Sequence, residues 1–90
     1  MQHQHPSYRA ALSSFLAYQE SQLHANDQKG GRLDWKDSSQ YPMDHFIESL
    51  ELKVEDLGLI LQSGDPEKIG RHCADIPNYA MMIADNSGAL

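Results

Sequence analysis

The sequence predicts an all-α fold. Apolar residues recur at helical spacing in three separate segments, helix start and stop signals stand between those segments, and no stretch alternates convincingly as a strand. There is no internal repeat.

The first segment runs from about Tyr8 to Asn26. Leu12, Phe15, Leu16, Gln19 and Leu23 share a stripe, uninterrupted by Pro or Gly, and the helix is expected to end before Gly30-Gly31. Residues 1–7 before it read as a flexible terminus. Residues 27–41 form a long connection that holds Lys29, Arg32 and Lys36 beside Trp35, and Trp35 is expected to anchor it. The second helix is expected to start at Pro42, with Asp44 in its first turn, and to run to about Gln62. Phe46, Leu50, Leu57 and Ile60 form its stripe, widened by Ile47, Val54 and Leu61, and Gly58 lies inside it. Ser63-Gly64 stops it. Asp65 then caps a third helix, Pro66 takes its first position and Glu67 complements its dipole. Ile69, Cys73, Ile76, Ala80 and Ile83 make the third stripe, and Pro77 inside it removes one backbone hydrogen bond and is expected to kink the helix.

The short link at Ser63-Gly64 forces helices two and three into an antiparallel hairpin. Residues 1–90 therefore read as one domain, a hairpin plus an N-terminal helix. A chain this short buries only about 60% of its unfolded surface. Its wide stripes predict pairing of copies into a four-helix-type bundle, as a dimer or tetramer.

Composition excludes several classes. One cysteine rules out an internal disulfide and multi-cysteine zinc modules. No apolar run approaches the roughly 20 residues that span a bilayer, and the N-terminus lacks a basic-then-apolar leader, so a cytoplasmic location without membrane partners is expected. Thirteen acids against seven bases give a net charge of −6, which disfavours nucleic acid.

Counting about 100° per residue places Glu48, Glu51 and Glu55 on a solvated face of helix two. Lys53 instead falls inside the apolar arc, with Asp56 at its edge. On helix three His72, Asp75, Tyr79 and Asn86 share one flank of the stripe. In an antiparallel hairpin that flank meets Lys53 and Asp56. Such a constellation either binds a divalent cation or satisfies itself as a salt-bridge network.

Two stretches carry a family resemblance. Ala74-Asp75-Ile76-Pro77-Asn78-Tyr79-Ala80-Met81-Met82-Ile83-Ala84-Asp85-Asn86 resembles the last helix of a bacterial and phage subset of the MazG-like all-α nucleoside triphosphate pyrophosphohydrolases. Lys29-Gly30-Gly31 followed by Trp35-Lys36-Asp37 is similar to the stretch before that family's first motif helix. With the helix from Phe46 to Leu61, the resemblance covers roughly residues 23 to 90. It implies a hydrolase in which Glu-x-x-Glu and Glu-x-x-Asp hold Mg²⁺, or Mn²⁺, and water attack releases a monophosphate and pyrophosphate.

The register of the apolar positions puts the first motif at Lys53-x-x-Asp56 and the second at His72-x-x-Asp75. Two of the four acids are therefore replaced, one by an ammonium that repels Mg²⁺ and one by an imidazole better suited to softer metals. Two readings follow. In the first, Asp56, Asp75 and His72 hold the cation, while Lys53, Lys29, Arg32 and Lys36 contact nucleotide phosphates. Trp35 then stacks on the base and Asn78 hydrogen-bonds it. In the second, turnover is lost and the scaffold, of the phage type, persists as a binding protein with a protein partner. Either reading carries the homo-oligomer expectation. Elsewhere, Cys73 reads as a core residue, Met81-Met82 as interface filler, and His24 and His45 as exposed.

Overall fold

The computed structural model describes residues 5–28, 35, 36 and 41–90, and the described chain is helical throughout its regular elements. Helix α1 spans Pro6–Gln28, α2 spans Met43–Gln62 and α3 spans Pro66–Asn86. Lys29 and Arg32 lie outside the described residues. No described helix is long and apolar enough to cross a membrane.

The element boundaries follow from local chemistry. Asp65 is the N-cap of α3; its Oδ1 accepts from the amides of Glu67 (3.1 Å) and Lys68 (3.3 Å), satisfying two donors that the helix leaves open. Pro66 then fills a position where a missing N–H costs nothing. At the end of α2, Ser63 donates its hydroxyl to the Ile60 carbonyl (2.6 Å), and Gly64 turns the chain at φ +66°, where a side chain would be strained. Three boundaries differ from expectation. Pro42 is the N-cap of α2 rather than its first helical residue, held extended at ψ 159°. Helix α1 starts at Pro6, so residues 6 and 7, expected in the flexible terminus, are helical, and it runs on to Gln28. Helix α3 continues through Pro77 as one element.

Helix α3 is the centre of the fold. It packs against both α1 and α2, which make no contact with each other among the described residues. Its C-terminus is held from outside. The Trp35 carbonyl accepts from Asn86 Nδ2 (3.3 Å), and Lys36 pairs with Asp85 (3.0 Å). The last turn of α3 carries no base, so Lys36 supplies the cation that a helix C-terminus favours.

Burial corrects the expected orientation of α3. Its most buried residues are Ala74 and Asn78, not the line through Cys73. The two lie roughly 100–140° round the helix from Cys73, and Asn78 is pulled in by α1. Cys73, expected in the core, is only half-buried and borders an open apolar groove with Phe15 and Tyr18 of α1. His45, expected to be exposed, is half-buried between Tyr41 (5.3 Å between ring centres) and Phe46 (5.6 Å). Phe46 and Ala74 are the only buried hydrophobic residues among those described. The helices thus leave much of their apolar surface open.

Two helical glycines have opposite surroundings. A Cβ on Gly58 meets nothing within 4 Å, whereas one on Gly70 falls 2.6 Å from Cζ of Tyr18, so the Tyr18 ring lies directly on the α3 backbone. Gly58→Ala is expected to stabilise the chain by about 0.5–1 kcal/mol through helix propensity alone. Gly70→Ala is expected to destabilise it by about 1 kcal/mol, and to stabilise it instead in a Tyr18→Ala background. Urea unfolding of the four variants measures this; an equal gain at Gly70 in both backgrounds contradicts the packing.

Candidate functional site

The hairpin brings three of the four motif positions together. Lys53 stands on the α2 face turned to α3, and Nζ lies 2.9 Å from Asp75 Oδ2. The other carboxylate oxygen of Asp75 accepts from Gln22 Nε2 of α1 at 3.0 Å. His72, one turn before Asp75, lies 2.8 Å through Nε2 from the Lys53 backbone carbonyl. A carbonyl only accepts, so Nε2 carries the proton and donates. The two replacements that the register identified therefore face each other across the hairpin, and Lys53 meets both His72 and Asp75.

Asp56 is not part of this cluster. It is exposed, and no ion pair joins it to another described residue. Among the described residues, no three His, Cys, Asp or Glu side chains are grouped so as to hold a metal ion. The expected set of Asp56, Asp75 and His72 is thus dispersed. Asp56 is exposed, Asp75 has both oxygens engaged, and His72 has a ring nitrogen on backbone.

The donor set does not fit Mg²⁺. That ion needs near-octahedral oxygen ligation and gives up its waters reluctantly. Here it would compete with an ammonium already seated on Asp75. Two unit charges at about 4 Å interact by roughly 4 kcal/mol at an effective dielectric near 20, and a divalent ion doubles that. Lys53 must leave before Mg²⁺ can approach. Its side chain is only 32% exposed and that of Asp75 only 14%, so solvent screens the pair incompletely.

The remaining expected contacts are spread along α3. Asn78, read from the resemblance as a base-binding residue, is 4% exposed. Its Nδ2 donates to the Gln19 carbonyl (3.2 Å) and its Oδ1 accepts from Gln19 Nε2 (3.3 Å). Both amide atoms are spent on α1. Trp35 is half-buried, with Lys36 Nζ 5.3 Å from its ring centre, a cation–π contact. Both residues belong to the clamp at the end of α3.

The sequence pattern does not single out Gln19 and Gln22 as partners of α3. Gln19 lies in the apolar stripe of α1. A polar amide on an apolar line requires a buried partner, and that was the available signal. Gln22, three residues on, shares its face.

Comparison with protein-family models, with curated proteins and with solved structures returns no match.

Breaking the Lys53–Asp75 pair from one side strands a partly buried charge. Lys53→Met is expected to lower unfolding free energy by about 1–2 kcal/mol, less than a fully buried pair would lose. Lys53→Met with Asp75→Leu is expected to recover most of that loss. Urea denaturation of the two variants decides; a double variant no better than the single one contradicts the pairing.

Proposed function

We propose that this chain is a helical binding protein, built on a hairpin resembling that of the MazG-like pyrophosphohydrolases, in which a structural charge network stands where the family holds magnesium. The observation that carries this reading is the Lys53–Asp75 ion pair at 2.9 Å, closed on its other side by Gln22. Metal-assisted phosphoryl chemistry needs a cation to offset phosphate charge and to activate water. A carboxylate with both oxygens engaged, and an imidazole bonded to backbone, supply neither ligand as they stand.

The hydrolase reading needs Asp75 released and Asp56 turned inward. Nothing in the charge network favours that arrangement over the one described. Under the binding reading the network is structural: it ties α1, α2 and α3 together and leaves the outer helix faces to meet a partner. The bundle between copies expected from the sequence competes for the same apolar surface. The charge on that surface distinguishes a second copy from a different partner.

Incubation of the full chain with each deoxynucleoside triphosphate and Mg²⁺ or Mn²⁺ is expected to release no pyrophosphate above a no-protein control. Release with either metal, lost in Asp75→Asn, would overturn the proposal. Lys53→Glu with His72→Glu is expected to create divalent-cation binding, read by calorimetry with Mn²⁺. Failure of a folded double variant to bind the ion contradicts the register on which the family resemblance depends.

A further inference from the structure

Helix α2 carries a second, outward surface that the charge network does not use. Ile47, Val54 and Leu61 repeat at seven-residue spacing and are 40%, 54% and 55% exposed. They lie roughly 80–120° round the helix from Lys53, so they cannot face α3 when Lys53 does. Gly58 sits between Val54 and Leu61 in this line, with open space at its Cβ position. A glycine there weakens the helix without serving any contact of this chain, but it lets another backbone come close.

The ridge has a charged border. Asp44, Glu48, Glu51 and Glu55 are all exposed and lie on its outer side, roughly 160–220° from Lys53. Asp44–Glu48 and Glu51–Glu55 are like-charge pairs at i,i+4, and Glu48–Glu51 at i,i+3, each a cost to the helix. No ion pair among the described residues offsets them. Lys53 is the only lysine or arginine in α2, and it is committed to Asp75.

We infer that the Ile47–Val54–Leu61 ridge docks a basic amphipathic helix from another protein, its apolar stripe on the ridge and its lysines or arginines on the acidic border. This rests on the binding reading above and names its partner by chemistry. An apolar line with one charged edge is the pattern by which a helix recognises an amphipathic helix of opposite charge. A second copy of this chain fits less well. Each copy carries a net charge of −6, its α2 has no spare lysine or arginine, and on its α3 Lys68 and Arg71 lie roughly 140–160° from the Cys73 stripe. Copies meeting α2 to α2 would therefore set acid against acid without an answering base.

The test uses the full chain and a fluorescein-labelled synthetic helix of about 18 residues, five turns, with leucines along one stripe and lysines elsewhere. A peptide with glutamates in place of the lysines is the control. Anisotropy is expected to show saturable one-to-one binding of the lysine peptide, weakening with salt, and none of the control. Val54→Ser with Leu61→Ser, both exposed and therefore compatible with folding, is expected to weaken binding at least about tenfold, and so is Glu48→Gln with Glu51→Gln and Glu55→Gln. Leu12→Ser with Leu16→Ser on α1 is expected to leave it unchanged.

Absence of saturable binding overturns the inference. So does binding indifferent to Val54 and Leu61, since that is charge attraction alone. So does a concentration-dependent dimer, seen by sedimentation, that Val54→Ser with Leu61→Ser abolishes, since the ridge then belongs to a second copy. Pyrophosphate release, by contrast, tests the binding reading itself and is independent of the peptide result.

Discussion

The arrangement depends on one carboxylate. Asp75 sits at the middle of α3, and its two oxygens are taken by Lys53 of α2 and Gln22 of α1. Among the described residues the two outer helices do not pack on each other, and each is placed through α3. A partly buried carboxylate with both oxygens satisfied favours one arrangement of its neighbours over sliding alternatives, because any slip leaves a charge unpaired. The neighbouring bonds follow the same pattern. His72 fixes the height of α3 against the Lys53 carbonyl, and Asn78 fixes the approach of α1 through Gln19.

Polar registration carries weight here because apolar burial is thin. Phe46 and Ala74 alone are buried hydrophobics among the described residues, and full burial of a side chain like Phe46 contributes about 1.5–3 kcal/mol. Isoleucine, valine and leucine side chains that would complete a core in a larger domain stand open on α1 and α2. The same sequence economy links stability to function. A hairpin locked by charge on the face where Lys53 and Asp75 meet leaves its apolar line free about a quarter to a third of a turn round α2, with an acidic border beyond it. The proposed partner supplies both the missing burial and the missing positive charge.

Much of this was legible in the residues themselves. Asp65-Pro66-Glu67 and Ser63-Gly64 are local signals whose geometry depends on neighbours a few residues away, and the structure reproduces them. The short link made the hairpin antiparallel, and counting round the two helices was enough to bring Lys53, His72 and Asp75 together. The same count set Asp56 beside Lys53 against that flank, whereas in the structure Asp56 is exposed and stands apart from the cluster. What periodicity did not give was the rotation of α3. Its most hydrophobic line runs through Cys73, yet Ala74 and Asn78 are the residues buried, because α1 binds there through Gln19 and Gln22 from more than fifty residues away. A stripe records how apolar a face is, and it does not record which neighbour arrives. Gly70 is the related case: it reads as a weak helix residue until the Tyr18 ring is seen lying on it.

The central claim is that an ammonium group, and not a metal ion, is the resident partner of Asp75. Nuclear magnetic resonance of the lysine side-chain nitrogens tests it most directly. The account predicts a slowly exchanging Lys53 ammonium signal, coupled across the hydrogen bond to the Asp75 carboxylate carbon and unmoved by excess magnesium chloride. A freely exchanging Lys53 signal, with an Asp75 carbon that shifts as magnesium is added, would contradict it.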